Sequence, residues 1–398
     1  MRICLNMQKL FAVIGIILCV GVAYLFSDRK KEINWVSVGC AFMGQLIVGF
    51  LLIKTPLWKV VQWTGDGVSW LVAQASEGIN FVFGGIVPEG GFVFFINSLL
   101  PIVFLSSLMG LLFHYGIIQK FVTVVGKTVA KVLRVDTLVA TNSVTNMFLG
   151  QTDALFITKS YLPSASESVI FSTMVSGMCS IAVSVLGLYQ SYGADIAMLI
   201  VSMPLSVCSS FVMTQILMPT KYEAVENIQI DTSDKGVNAL ETMVNYGTSG
   251  FKSCIGIAIS LMIFLSAIAM INHFIGLFFE GVTMQSVLGY IFTPFAFLMG
   301  VPKGEVMEVA QILATKLVTN ETVAYGLPQF AALSINAKAM VTVALAGFSG
   351  IGSIGILIGG FSAVAPSQVK TVAKLGVKAL MTATFVCMIT GAVVGLML

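Results

Sequence analysis

The sequence predicts an all-α polytopic membrane protein, and three observations carry that assignment. Hydrophobic residues make up 57% of the 398-residue chain and charged ones only 10%, against about 25% charged in an average soluble domain. Mean hydropathy is +0.97. Runs free of Asp, Glu, Lys and Arg cover 10–27, 33–53, 90–119, 168–194, 196–220, 253–279, 281–302, 339–369 and 379–398, and about 20 apolar helical residues suffice to cross the hydrocarbon layer. A β-barrel would instead show short alternating segments, not uninterrupted stretches such as Ser260–Met270. The same composition narrows function. A net charge of +3 from 21 Lys+Arg and 18 Asp+Glu is too small and too dispersed for a nucleic-acid footprint. Two histidines and seven scattered cysteines without CxxC pairs supply no zinc, redox or Ser-His-Asp arrangement, and the cysteines read as small buried hydrophobes.

Taken in order, the first run is a retained helix. Arg2 and Lys9 flank it as in a signal peptide, but no small-x-small cleavage site precedes Asp28. Arg29, Lys30 and Lys31 form the densest basic cluster, which places the following loop in the cytoplasm and the N-terminus outside. Between Lys54 and Glu77, Trp58, Trp63 and Trp70 mix with Lys59, Gln62 and Asp66, the pattern of a helix lying in the headgroup region. Residues 118–134, with Lys120, Lys127, Lys131 and Arg134 among valines, form a second amphipathic element. Residues 136–163 and 303–328 are too polar to span alone, and irregular polar chain at membrane depth is tolerated only when buried in protein or lining a cavity. Each therefore reads as a re-entrant hairpin, turning near Leu149-Gly150-Gln151 and Thr319-Asn320-Glu321. The expected organisation is about eight transmembrane helices and two hairpins: scaffold and interfacial helices in 1–135, a first repeat in 136–220, a hydrophilic linker in 221–250, a scaffold helix and re-entry in 251–302, and a second repeat in 303–398.

The repeat is visible as two strings. Val144-Thr145-Asn146 returns as Val318-Thr319-Asn320, and Ser176-Gly177-x-x-Ser180-Ile181 returns as Ser349-Gly350-x-x-Ser353-Ile354, in the same order and at nearly the same offset. Duplicated halves are a common transporter plan, with the ligand site at their interface. An ionisable residue at bilayer depth costs several kcal/mol unless paired or hydrated, so Asp153 and Glu321 are functional candidates, with Lys159 and Lys316 as alternative structural partners. One carboxylate per half beside an amide (Gln151, Asn320) suits a ligand rich in hydroxyls and amides, and serves a proton relay equally well. Ser180, Ile181, Ser353 and Ile354 mark places where the helix can unwind and offer carbonyl and hydroxyl oxygens to a hard monovalent cation, or simply small residues for tight packing.

Asn146-Met147-Phe148-Leu149-Gly150-Gln151-Thr152-Asp153-Ala154 resembles the hairpin signature of the concentrative nucleoside transporters. Asn80–Gly85, Leu100–Phe104, Phe295–Pro302, Ala314–Glu321 and Gly347-Phe348 with Ser353-Ile354 resemble further family motifs, in family order and over essentially the whole chain. The resemblance is to the shorter bacterial form. It implies a homotrimer in the bacterial inner membrane whose transport domains move like elevators against a scaffold, importing nucleosides with sodium or protons. It implies no enzymatic activity and no cofactor beyond the coupling ion. Carried onto this chain, Gly150, Gln151, Thr152 and Asp153 would meet the nucleobase with Val185 beside it, and Glu321, Phe348 and Ser353 would meet the ribose. Sodium would be held by Asn146, the Leu149 carbonyl, Ser180 and the Ile181 carbonyl.

Three positions depart from the family pattern. Asp153 stands where Glu is usual, Thr322 where Phe is usual, and Gly350 where a ribose-contacting Asn is usual. Losing a hydrogen-bonding partner weakens a site by about 1–3 kcal/mol, which keeps open a cation-coupled carrier of another nucleobase-like or hydroxylated solute. An intramembrane enzyme built on Asp153 and Glu321 lacks an accompanying nucleophile or metal cluster; a passive channel would show flux that neither saturates nor responds to an ion gradient.

Overall fold

The structure is a computed structural model that describes residues 2–87, 91–221 and 235–398. The described residues are all-helical, with no strand among them. Helices α1 (Arg2–Leu25), α2 (Trp35–Lys54) and α3 (Leu57–Phe83) come first. The Asn34 side chain starts α2 by accepting from the backbone N–H groups of Val36 and Ser37, each at 3.2 Å, donors that no helical carbonyl reaches. Helix α3 buries Val61, Gly65, Val68 and Ala75 at helical spacing and turns Trp63 and Trp70 outward. This is the amphipathic element expected at 54–77, carried on to Phe83. After a π-helical turn at Phe95–Leu99 come α4 (Pro101–His114) and α5 (Ile117–Leu133).

Two similar series follow. The first is α6 (Thr137–Leu149), α7 (Gln151–Ile157), α8 (Glu167–Cys179), α9 (Leu186–Ser191) and α10 (Ile196–Leu217). Then α11 (Ala239–Gly276) and α12 (Met284–Leu298) intervene. The second series is α13 (Val306–Val318), α14 (Glu321–Tyr325), α15 (Pro328–Ala332), α16 (Ile335–Leu345), α17 (Gly352–Val364) and α18 (Val369–Met397). Each series consists of a helical hairpin, a helix interrupted in its middle and a long helix, in the order of the sequence repeat.

Among the described residues, 7 helical segments are long and apolar enough to cross a membrane, the first Met7–Leu25 and the last Pro366–Met397. The apolar helices α12, α16 and α17 are shorter. Two charge-free runs are therefore not continuous helices: 168–194 is interrupted after Cys179, where Ser180 and Ala182 are extended, and 339–369 is interrupted between Leu345 and Gly352. Residues 239–250, read from sequence as linker, instead begin α11, with the Asn238 side chain accepting from the Glu241 N–H at 2.9 Å. The other acidic residues of that stretch, Glu223, Glu226, Asp231 and Asp234, lie outside the described residues.

Helix α1 packs on α10, α12 and α18, and α2 packs mainly on α10, with further contacts to α3, α5 and α18. Helices α4 and α11 run antiparallel against each other, Cys254 Sγ donating to the Leu99 carbonyl at 3.0 Å just before α4. Much of α11, including Ile259, Met262, Ile263 and Phe274, is exposed apolar surface. Cys179, Cys208, Cys254 and Cys387 are buried, whereas Cys19 and Cys40 are only half-buried.

Candidate binding site at two hairpin tips

The first hairpin closes through Asn142. Buried in α6, its Nδ2 donates to the Ala154 carbonyl and to Thr158 Oγ1, both at 3.0 Å, so α7 doubles back along α6. The chain reverses at Gly150, whose φ of +94° suits a residue without Cβ. Asn146, one turn from the tip, donates from Nδ2 to the carbonyls of Ser176 at 3.1 Å and Gly177 at 3.4 Å, which pins the tip to the last turn of α8. Its Oδ1 is buried without a hydrogen-bond partner. Beyond α8 the chain unwinds at Ser180 and Ile181, the Ser180 hydroxyl lying 3.4 Å from the Ile181 carbonyl. Leu149 ends α6, so its carbonyl faces beyond the helix end. The residues expected to hold a cation thus gather at one tip and one helix break. Leaving a buried acceptor unpaired costs about 1–3 kcal/mol; amide, hydroxyl and carbonyl oxygens are the donor set a hard cation takes.

The second hairpin runs from Glu305 to Ser334, beyond the 303–328 expected for it. Ser334 donates to the Glu305 carboxylate from its backbone N–H at 2.6 Å and its hydroxyl at 2.7 Å, and Gln329 Nε2 donates to Gln311 Oε1 at 3.4 Å. At the tip, Asn320 Oδ1 accepts from the Val323 N–H at 2.9 Å and so starts α14, whose first residue is Glu321. The break of the second series lies against this tip: Ile351 N–H donates to the Leu317 carbonyl at 3.0 Å. A Cβ on Gly350 would stand 2.7 Å from the Thr319 carbonyl oxygen, so this approach requires glycine. Ser353 and Ile354, expected within the unwound segment, instead sit in the first turn of α17, the Ser353 hydroxyl donating back to the Phe348 carbonyl. The reason is that hydrogen bonding from the Leu345–Gly352 interval to the hairpin tip substitutes for helix, and α17 resumes once that contact ends.

The two breaks lie side by side, since a Cβ on Gly347 would meet the Cys179 carbonyl oxygen at 2.7 Å. Gln151, whose buried Oε1 also lacks a partner, faces Gly177 next to Leu357 of α17, while Thr152 packs on Gly360. Asp153 and Phe348 are half-buried, and Val185 is buried at the start of α9. Glu321 is 7% exposed. Of the alternative partners read from sequence, Lys316 is not its hydrogen-bond partner: that buried ammonium donates to the Ala344 carbonyl at 2.8 Å. Glu321 Oε1 instead accepts from the Tyr189 hydroxyl at 3.0 Å. Sequence reasoning missed Tyr189. Its signal was a tyrosine one helical turn after Val185, on the same face of α9.

Comparisons with known proteins bear on this geometry. Residues 14–86 match a family model described as Na+ dependent nucleoside transporter N-terminus, and residues 198–395 its C-terminal counterpart. The chain is 32% identical to an uncharacterized transporter of Haemophilus influenzae over 98% of both chains. It is 30% identical to the nucleoside permease NupC of Helicobacter pylori, again over 98% of both. Its fold superposes on the structure of CNTnw in an inward-facing substrate-bound state with a TM-score of 0.93 at 31% identity, covering 98% of each chain.

Proposed function

Because this multi-pass membrane chain belongs to the concentrative nucleoside transporter family, we propose that it is a secondary active symporter that imports nucleosides with sodium across a bacterial inner membrane. The observation that carries this reading is the meeting of two hairpin tips with two helix breaks, with unpaired Asn146 Oδ1 and Gln151 Oε1 at the first tip and the Glu321 carboxylate at the second. In this reading Gly150, Gln151, Thr152 and Asp153 meet the base beside Val185, and Glu321, Phe348 and Ser353 meet the sugar. Sodium takes Asn146 Oδ1, the carbonyls of Leu149 and Ile181, and Ser180 Oγ. Ion and nucleoside share one structural element, because Asn146 and Leu149 on one side of Gly150 and Gln151 on the other belong to the same turn. Ordering that turn around the ion prepares it for the base, and by linkage the base tightens the ion by the same factor.

A tenfold sodium gradient supplies about 1.4 kcal/mol and a 100 mV potential about 2.3 kcal/mol for each ion, enough for an accumulation of about 500-fold at one ion per nucleoside. Alternating access follows if the hairpins move as a body with α8, α10, α16 and α17, which they contact, and with α1, α2 and α18, which pack on those helices, against α3, α4 and α11 as an elevator. The exposed apolar flank of α11 fits a homotrimer of such units embedded in lipid. The test is uptake of radiolabelled uridine into proteoliposomes with and without an inward sodium gradient, with adenosine, uracil or ribose as competitors. Sodium-driven accumulation blocked by nucleosides alone supports the symporter. Accumulation driven only by a proton gradient replaces the ion assignment, and none under either gradient refutes nucleoside symport in favour of another hydroxylated solute.

A further inference from the structure

We infer that Tyr189 is a positioning residue for the sugar end of the site, fixing the Glu321 carboxylate so that its second oxygen is presented to a ligand hydroxyl; this rests on the reading of Glu321 as a substrate contact. Three observations carry it. The Tyr189 hydroxyl donates to Glu321 Oε1 at 3.0 Å, and among the described residues no other side chain donates to that carboxylate. A hydroxyl donor on one carboxyl oxygen fixes the orientation of the group, because the bond weakens steeply away from its preferred geometry.

The donor is also held in place. Tyr189 is 1% exposed, and its ring stacks on Tyr325 with centroids 4.7 Å apart and planes at 30°. Tyr325 in turn donates from its hydroxyl to the Thr342 carbonyl at 2.7 Å and meets Phe330 edge-on at 5.2 Å. Aromatic stacking of this geometry favours one ring placement, so the hydroxyl keeps its position when a ligand arrives. Finally, the bond crosses the duplication. Tyr189 belongs to α9 of the first series, one turn after Val185, whereas Glu321 opens α14 of the second. This hydrogen bond, with the Tyr189–Tyr325 stack, therefore ties the wall carrying Val185 to the carboxylate that would receive the sugar.

The chemistry predicts how its loss reads out. A carboxylate held by one oxygen accepts a sugar hydroxyl with the other, and a ligand lacking that hydroxyl leaves the buried acceptor unpaired. The wild type should therefore prefer uridine to 2′- or 3′-deoxyuridine. Tyr189→Phe keeps the ring and its stacking and removes only the donor. It is expected to weaken equilibrium binding of tritiated uridine to the purified protein by about tenfold, to reduce the preference over at least one deoxy analogue by a similar factor, and to leave half-saturating sodium unchanged. A purely structural role would lower yield or turnover without moving the uridine-to-deoxyuridine ratio. Wild-type affinity and an unchanged ratio in Tyr189→Phe would overturn the inference.

Glu321→Gln, measured alongside, separates the two layers of the argument. If Glu321→Gln keeps the wild-type ratio, the reading of Glu321 fails. If Glu321→Gln loses the ratio and Tyr189→Phe retains it, only the role of Tyr189 fails. Tyr325→Phe, which leaves the direct donor in place, is a second variant should Tyr189→Phe not fold: its expected loss of uridine affinity is about two- to threefold, from slackening of the stacked ring, and no loss would count against positioning.

Discussion

Restoring an amide at position 350 should not improve the site, and the structure says by how much it should hurt. A Cβ there would lie 2.7 Å from the Thr319 carbonyl oxygen and 3.1 Å from that of Lys316. Both are backbone atoms of the second hairpin, so no rotamer change relieves the contact. The segment is further tied by the 3.0 Å bond from Ile351 N–H to the Leu317 carbonyl. Overpacking of this kind costs about 1–3 kcal/mol, and losing that hydrogen bond adds about 1 kcal/mol. Gly350→Ala carries the steric cost alone, and Gly350→Asn the same cost plus the amide. Both are expected to lower the melting temperature by several degrees, followed by tryptophan fluorescence in detergent, and to raise the uridine KM by about tenfold or more, with Asn no better than Ala. A Gly350→Asn protein that melts as wild type and binds uridine more tightly would refute the reasoning, because the tip would then have room for a side chain.

Other variants address single residues. Asn146→Ala removes the unpaired Oδ1 and is expected to raise half-saturating sodium about tenfold in uptake titrations, with uridine KM at saturating sodium little changed; an unaltered sodium curve removes Asn146 from the ion site. Glu321→Gln keeps the shape but not the charge, so saturable uridine uptake should vanish, and uptake within about twofold of wild type would argue against a sugar contact. Asp153→Glu advances the carboxylate by one methylene and should change the ratio of purine to pyrimidine inhibition constants in a competition panel by about threefold or more; an unchanged ranking places Asp153 away from the base.

Much of this arrangement was legible in the sequence because dehydration is a severe constraint. Long charge-free runs have few homes other than lipid, and polar strings such as Thr141–Asn146 must fold back into protein if they sit at that depth. The hairpins therefore surfaced from composition, and the repeat from two strings recurring in register. Helix continuity was legible only in part. Hydropathy runs unbroken through 168–194 and 339–369; the small residues Ser180-Ile181 marked the first break, whereas the second lies at Leu345–Gly352, ahead of the Ser353-Ile354 expected for it. The start of α11 was hidden for the opposite reason, since residues 239–250 mix polar with apolar side chains and only the Asn238 cap marks them as helix. Tyr189 escaped because a tyrosine at helical spacing looks like core, and its hydroxyl gains meaning only when Glu321, distant in sequence, is brought to it.

The duplicated strings differ in what their polar atoms do, and that difference bears on stoichiometry. Asn146 keeps a buried Oδ1 without a partner, whereas its counterpart Asn320 spends its Oδ1 on the Val323 N–H. Ser180 makes a long contact of 3.4 Å, whereas the Ser353 hydroxyl donates to the Phe348 carbonyl. Even the paired glycines diverge: a Cβ on Gly177 would meet its nearest neighbour, Gln151 Cβ, at an ordinary 3.4 Å, while one on Gly350 would meet backbone at 2.7 Å. The first niche has uncommitted oxygens, and the second is filled by its own hairpin. A cation needs several free oxygens at once, so in the proposed reading the ion takes the first half and not the second. Sodium activation of uridine uptake is therefore expected to be hyperbolic, with a Hill coefficient of about 1, since cooperativity needs more than one site. Asn320→Ala should leave half-saturating sodium where it is, although it weakens the start of α14 by about 1 kcal/mol. Sigmoidal activation, or a sodium curve shifted equally by Asn320→Ala and Asn146→Ala, would show that the second niche opens to an ion as well.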